Sequence, residues 1–218
     1  MQVRIAPSLL SADFLNLKDD IRMLNECADI AHLDIMDGVM VPNLSFGFSV
    51  LDAAVHEFTI PTDAHLMIID PRNYVDRIAE LGVDYCSFHL EAARKTGFDV
   101  VEMLRTIKRL GMKAGLAFNP DIPAEDVYPY IPECDFIVVM SVFAGFGGQN
   151  FHPECIDKIK QLKLEIIRTG SKCEIEVDGG VSPANSHVLI EAGADILVSG
   201  SFIFKATDKL SAINSLRY

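Results

Sequence analysis

Positive charge is scarce in this chain, and the scarcity excludes one class of partner. The sequence has 19 lysines and arginines against 31 aspartates and glutamates, which gives a formal net charge of -12. Proteins that bind nucleic acids by neutralising phosphates have the opposite balance, so we expect no nucleic-acid partner. Any phosphate-binding site here must be local, made from backbone amides or a helix end.

Long apolar runs and paired cysteines are also lacking. No run is long enough to span a bilayer, and the N-terminal residues do not have the layout of a signal peptide. The five cysteines include no CxxC pair, a pattern typical of reduced thiols and not of a zinc cluster or a redox motif. We therefore expect a cytoplasmic protein without a membrane partner.

The hydrophobic residues, half of the 218, follow a repeating pattern. Eight short apolar runs alternate with stretches in which apolar residues recur at helical spacing. The runs predict strands at 3–9, 30–36, 62–67, 85–89, 114–118, 136–142, 174–178 and 196–199. Eight strand–helix units of about 27 residues predict parallel pairing and an α/β fold, a single (β/α)8 TIM barrel over residues 1–218. An open doubly wound sheet is the alternative, but no nucleotide-binding fingerprint follows the first strand.

Polar side chains interrupt three of the predicted strands. His32 and Asp34 are two residues apart in the second strand, so they point to the same side. His65 lies late in the third strand, and Asp178 ends the seventh. Burying such groups is costly unless something compensates them, and a divalent metal bound by all four does so. Imidazole nitrogens with carboxylate oxygens suit zinc, iron, manganese or cobalt. The alternative is that each residue is a separate, hydrogen-bonded core residue.

Seven short motifs extend this pattern over the chain: IAPSLLSAD at 5–13, HLDIMDG at 32–38, VPN at 41–43, DAHLM at 63–67, GFGGQ at 145–149, VDGG at 177–180 and GS at 200–201. Together they resemble the ribulose-phosphate 3-epimerase family, over essentially the whole length. The resemblance implies a barrel of the ribulose-phosphate-binding type. It implies a metal-dependent epimerase of the pentose phosphate pathway, which inverts C3 of D-ribulose 5-phosphate to give D-xylulose 5-phosphate.

The resemblance also implies roles for individual residues. One divalent metal, with zinc as the leading candidate, would be bound by His32, Asp34, His65 and Asp178. Asp34 and Asp178 would also transfer the proton. Substrate contacts would come from Ser8, His65 and Asp178, and from a phosphate end formed by Gly145, Phe146, Gly147, Gly148, Gly179, Gly180, Gly200 and Ser201. Family members are dimers or hexamers, so a homo-oligomer is expected.

Other residues late in the strands have two interpretations each. Met36, Met67 and Met140 predict an apolar collar that excludes water from the substrate, or else ordinary barrel packing. The glycine-rich loops predict a phosphate cradle, or else tight turns alone. His89 ends the fourth strand beside Glu91, and we expect it to contact a metal ligand or to be a polar core residue, and not to bind the metal itself.

The resemblance is weaker at two loops that are expected to cover the substrate. Val39-Met40 stands where the family usually has His-Phe, and Phe143-Ala144 stands where it usually has Asn-Pro. The sugar therefore stays open, and an epimerase for allulose 6-phosphate or a tetrulose phosphate is the alternative. A related barrel lyase or decarboxylase would carry a lysine on the second strand, which this chain lacks. A non-catalytic sugar-phosphate sensor would have lost a ligand or a proton-transfer residue, and none is missing.

Overall fold

The structure is a computed structural model that describes residues 2–217, and the eight strands within them form one parallel sheet. The strands are β1 (Arg4–Pro7), β2 (Ala31–Met36), β3 (Thr62–Met67), β4 (Tyr85–His89), β5 (Lys113–Phe118), β6 (Phe136–Met140), β7 (Glu174–Asp178) and β8 (Ile196–Ser199). All eight predicted strands are present. The first is shorter than predicted, because Leu9–Ser11 forms a 3-10 helix and Ser8 Oγ accepts a hydrogen bond from the backbone N–H of Leu10. The sixth, predicted at 136–142, ends at Met140.

The sheet is nearly closed into a barrel. Its strand order is β1-β8-β7-β6-β5-β4-β3-β2, with parallel pairing from β1 to β8 and onward around the sheet. An isolated parallel bridge between Ser8 and His32 joins β1 to β2, and the backbone N–H of Asp29 donates to the carbonyl of Ile5 at 3.1 Å. This topology confirms the (β/α)8 barrel and excludes the open doubly wound sheet.

Helices surround the strands. They are α1 (Leu17–Cys27), α2 (Phe48–Val55), α3 (Val75–Glu80), α4 (Leu90–Thr96), α5 (Val100–Arg109), α6 (Cys155–Thr169), α7 (Ser186–Ala192), α8 (Ser201–Phe204) and α9 (Lys209–Asn214), with short 3-10 helices at Pro71–Asn73, Ala124–Asp126 and Tyr128–Glu133. The local sequence explains α5, which begins where Asp99 Oδ1 accepts from the N–H groups of Val101 and Glu102. Within the described residues, no helix has the length and apolar character needed to cross a membrane.

Successive side chains along each strand face two different buried regions: the core between the strands and the helices, and the inside of the barrel. On β2, Leu33 and Ile35 point outward and join a large apolar core with helix residues such as Leu24 and Leu51. The other face of each strand lines the inside of the barrel. There β5, β6 and β8 supply mainly apolar residues, whereas β2, β3, β4 and β7 supply a polar group. The buried polar residues on the inner faces of those four strands are His32, Asp34, Asp63, His65, Ser87, His89 and Glu176, and the end of β7 adds Asp178.

The inside of the barrel is tightly packed at Gly115 on β5. Gly115 pairs with Phe136 on β6, and a Cβ added at Gly115 would lie 2.4 Å from Cζ of the Phe136 ring. That ring also packs edge-on against Tyr85, with ring centroids 5.6 Å apart. Glycine is therefore required here by the lack of space and not by the backbone conformation.

We expect Gly115→Ala to lower the free energy of unfolding by about 1–3 kcal/mol, because the added methyl overpacks a fully buried site. Urea unfolding followed by circular dichroism measures the loss. Gly47→Ala is the matched control, since a Cβ at exposed Gly47 meets nothing within 4 Å, and we expect a change of about 0.5 kcal/mol or less. Equal midpoints for the two variants would contradict this account of the packing.

Candidate active site

Four side chains meet inside the C-terminal half of the barrel: His32 and Asp34 from β2, His65 from β3 and Asp178 from the end of β7. One ligand atom of each lies within 4.8 Å of the others. His32 Nε2 is 3.3 Å from Asp34 Oδ1 and 3.9 Å from Asp178 Oδ2. His65 Nδ1 is 3.4 Å from each of the same two oxygens. Two nitrogens and two oxygens thus face a common point.

Three of these four facing atoms have no hydrogen-bond partner anywhere in the described chain. They are His32 Nε2, Asp34 Oδ1 and His65 Nδ1, and all three are buried. A buried polar atom without a partner costs about 1–3 kcal/mol, so the chain does not satisfy this cluster by itself. A divalent cation accepts lone pairs from all four residues at once. The cluster therefore fits one divalent metal.

The electrostatics of the cluster favour a protonated His32 beside an ionised Asp34. Burial tends to lower the pKa of His32, but the carboxylates of Asp34 and Asp63 outweigh it and raise that pKa well above its usual value. Burial tends to raise the pKa of Asp34, but His32 and His65 beside it hold the pKa far below its usual range. The carboxylate of Asp34 is thus strongly ionised, and it attracts positive charge, whether protons or a metal cation.

Two further carboxylates lie deeper in the barrel, behind His32. Asp63 Oδ2 is 2.7 Å from His32 Nδ1, and Glu176 Oε1 is 3.5 Å from the same nitrogen. The Asp63 contact orients the ring so that Nε2 faces the cluster. Burial, together with neighbouring Asp63, raises the pKa of Glu176 well above its usual value.

The sequence analysis did not identify Asp63 or Glu176, although a signal was present. Asp63 stands two residues before His65, and Glu176 two residues before Asp178, so each shares the interior face of its strand with a residue of the cluster. Applying the same two-residue spacing backward along each strand would have found both carboxylates.

His89, at the end of β4, lies against His65 and outside the cluster. The two Nε2 atoms are 2.9 Å apart, and the rings stack with centroids 5.0 Å apart. Burial lowers the pKa of His89. Its other ring nitrogen, Nδ1, is 3.6 Å from Glu91 Oε2. His89 thus contacts a residue of the cluster, not the common point that the cluster faces.

A pocket opens above the cluster, with Asp34 and Asp178 in its wall. It brings together nearly all the residues that the sequence predicts to contact substrate: Ser8, Met36, Met67, Met140, Gly145, Phe146, Gly147, Gly148, Gly179, Gly180, Gly200 and Ser201. His65 differs, because it is fully buried and does not line the pocket. The sequence analysis did not identify Leu10, Ser11 or Ser199, which line the pocket as well.

The walls of the pocket differ in character. Met36 and Met67 pack together with Val41 into a buried apolar cluster, and Met140 is equally buried in the barrel interior. Ser8 Oγ donates a hydrogen bond of 2.5 Å to Asp34 Oδ2, which leaves Asp34 Oδ1 facing the two histidines. The pocket is therefore apolar on the methionine side and polar at the carboxylates.

The loop at 143–149 covers one side of the pocket and is held by side chains. Gln149 Nε2 donates to the carbonyls of Phe143 and Phe146 at 2.6 and 2.8 Å. Asn43 Nδ2 donates to the carbonyl of Gly145 at 2.9 Å. Next to this loop, Gly179 has φ +123, and a Cβ there would come within 2.8 Å of the backbone nitrogen of Val142. Close approach of backbones, and not turn formation alone, thus requires this glycine.

Comparison with known proteins points to the family that the sequence motifs resemble. A model of the ribulose-phosphate 3 epimerase family matches residues 4–204. Ribulose-phosphate 3-epimerase from Synechocystis sp. is 41% identical over 98% of this chain and 92% of its own length. The enzyme of the same name from Bacillus subtilis is 37% identical over 99% and 98%.

Among solved structures, KGPDC from Streptococcus mutans superposes with a TM-score of 0.72, covering 99% of this chain and 96% of its own. It is 12% identical, which shows a common fold alone. With the family match and the two relatives, the motifs, the barrel and its His/Asp cluster lead to one conclusion: this chain is an epimerase that belongs to the ribulose-phosphate 3-epimerase family.

Proposed function

We propose that the protein inverts C3 of D-ribulose 5-phosphate to give D-xylulose 5-phosphate, with Asp34 and Asp178 as the two proton-transfer residues. One observation carries the proposal. The two carboxylates line the same pocket, and each places one oxygen 3.4 Å from His65 Nδ1, which lies between them. The names of the relatives support ribulose phosphate as the substrate.

The reaction explains why two carboxylates are needed. The C2 carbonyl acidifies the hydrogen on C3, and inversion requires removal of that proton from one face and its return to the other. Asp34 on β2 and Asp178 on β7 come from separate parts of the barrel, so a substrate between them meets a carboxyl on each side. The depressed pKa of Asp34 keeps its carboxylate ionised, which is the form that a base needs, although the same shift makes that carboxylate a weaker base. The direction of turnover decides which residue acts first.

The same proposal has His32, Asp34, His65 and Asp178 hold one divalent metal, with zinc as the leading candidate. When bound, such an ion supplies Lewis-acid stabilisation of the negative charge that develops as the C3–H bond breaks. Asp63 orients His32 through the other ring nitrogen. Ser8 orients Asp34 by donating a hydrogen bond to Oδ2 of its carboxylate.

The remaining walls of the pocket bind and shield the substrate. The described residues that line it include no lysine or arginine. We therefore assign the phosphate to backbone N–H groups of the loops that follow β6, β7 and β8, with help from Ser201. Met36, Met67 and Met140 exclude water from the reacting carbons, and this strengthens the electrostatic interactions beside them.

An epimerase for another ketose phosphate is the second candidate. Two observations favour it: Phe143 and Ala144 line the pocket, and Phe143 is 43% exposed, so this departing pair can contact the sugar. The other departing pair, Val39-Met40, is not among the residues that line the pocket. Phe143 and Ala144 affect the shape of the pocket and leave the carboxylates and the His/Asp cluster unchanged. The reaction would therefore be the same, on a sugar with a different number of carbon atoms.

Turnover of several ketose phosphates in deuterium oxide decides between these candidates. We expect the highest kcat/KM for D-ribulose 5-phosphate, with solvent deuterium at C3 alone, because only that position is deprotonated. Mass spectrometry and NMR of the product locate the label. A higher kcat/KM for allulose 6-phosphate or a tetrulose phosphate would favour the second candidate. Label at C1 would indicate an aldose–ketose isomerase. A lack of turnover with every ketose phosphate tested would indicate a non-catalytic sensor.

Asp178→Asn is expected to lower kcat by about 10²–10⁴-fold, because the amide cannot accept or return the C3 proton. The thermal unfolding temperature should change little, since asparagine has nearly the size and shape of aspartate and the side chain lies at the end of β7. Asp157→Asn is the matched control: it makes the same chemical change on α6, at a side chain that is 79% exposed, and should leave kcat unchanged. Near-normal turnover by Asp178→Asn would refute the two-carboxylate mechanism.

Chelation is expected to abolish activity, and zinc, iron(II), manganese or cobalt should restore it. Equilibrium dialysis should find one ion per chain, and visible absorption of the cobalt form reports its coordination without any assay of activity. His65→Asn should weaken binding, because it removes a ligand. His187→Asn on α7, where the side chain is 66% exposed, is the control. Full activity in the metal-free protein would contradict the proposal.

A further inference from the structure

Three side chains form a line that leads away from the His/Asp cluster. His65 Nε2 contacts His89 Nε2 at 2.9 Å, and His89 Nδ1 faces Glu91 Oε2 at 3.6 Å. Both histidines are fully buried. His89 Nδ1 and Glu91 Oε2 are both buried without a hydrogen-bond partner in the described chain, and they face each other. The proton-transfer chemistry proposed above does not use either residue.

The contact between the two imidazoles restricts where hydrogens can lie. Two ring nitrogens 2.9 Å apart form a hydrogen bond only when one of them carries a hydrogen and the other offers a lone pair. A metal-binding nitrogen must also offer a lone pair, and in His65 the nitrogen that faces the two aspartates is Nδ1. The hydrogen of His65 must then be on Nε2, and His89 Nε2 must accept it. His89 in turn carries its own hydrogen on Nδ1, toward Glu91.

Glu91 is itself anchored, so it can hold His89 in place. Its Oε1 accepts a hydrogen bond from the backbone N–H of Asn119 at 2.9 Å. Asn119 Oδ1 accepts from the backbone N–H of Ala144, in the loop that covers the pocket, at 2.9 Å. The line from His65 thus ends on backbone groups at the C-terminal side of the barrel.

We propose that His89 and Glu91 are positioning residues that hold His65 in the form with hydrogen on Nε2, so that Nδ1 is presented to the metal. The inference rests on the metal centre proposed above. The two histidines of that centre present opposite nitrogens and therefore have different supports. His32 presents Nε2 and is held by a carboxylate on Nδ1, whereas His65 presents Nδ1 and is held by His89, which acts as an acceptor.

Two substitutions at His89 separate positioning from packing. His89→Gln keeps an oxygen that can accept from His65 Nε2, whereas His89→Leu fills the space without an acceptor. The ring-nitrogen chemical shifts of ¹⁵N-labelled histidine report which nitrogen of His65 carries hydrogen, and His65→Asn identifies its signals. We expect hydrogen on Nε2 in the wild-type protein and in His89→Gln, already in the metal-free state, where Nδ1 can carry a second hydrogen toward Asp34 and Asp178. In His89→Leu we expect a mixture of the two forms.

Metal affinity gives the second measurement. Competition with a chromophoric chelator should show about 10- to 100-fold weaker cobalt and zinc binding in His89→Leu, and near wild-type binding in His89→Gln. Wild-type His65 without hydrogen on Nε2, or equal metal affinity in the two variants, would overturn the proposal. If His89→Leu does not fold, the wild-type spectrum still decides. If the wild-type protein binds no metal, the proposed metal centre fails, and the spectrum of metal-free protein still tests the histidine pair.

Discussion

The ionisable groups buried inside the barrel must be compensated by their surroundings, and this requirement shapes both the pocket and the strands around it. Isolated charges in such a place cost several kcal/mol each, and they are tolerated when they are paired or when they bind a metal. Here the pairing is incomplete: each imidazole has a carboxylate beside it, yet three buried atoms still lack a partner within the described chain. The same incompleteness makes the cluster suitable for a cation and for proton transfer at the pocket wall.

The fold can hold such a cluster because its stability comes mainly from elsewhere. Outward-facing strand residues such as Leu33 and Val177 pack with the helices into a continuous apolar core. The inward faces of β2, β3, β4 and β7 are therefore free to be polar, while β5, β6 and β8 fill the rest of the barrel with apolar side chains such as Phe136. Parallel strands also bring all their C-terminal ends to one side, where the glycine-rich loops form a pocket without lysine or arginine among its described residues.

Much of this could be predicted from sequence patterns. The eight strands follow from apolar runs, and the meeting of His32, Asp34, His65 and Asp178 follows from two regularities: side chains alternate along a strand, and parallel strands end on the same side. Other features could not be read in this way. The first strand ends at Pro7 because a local 3-10 helix competes with it, and a run of apolar residues does not reveal that competition.

Periodicity and short motifs along the chain were enough to predict the barrel, the family and the side chains that share the interior face. The three-dimensional arrangement was needed to establish that Asp63 holds His32 and that His89 contacts His65. It also decided that His65 lies beneath the pocket and does not line it. These features depend on the stagger between strands far apart in sequence and on which ring nitrogen faces which neighbour. Distances of a few ångströms across the barrel settle them, and residue spacing along a single strand carries no such information.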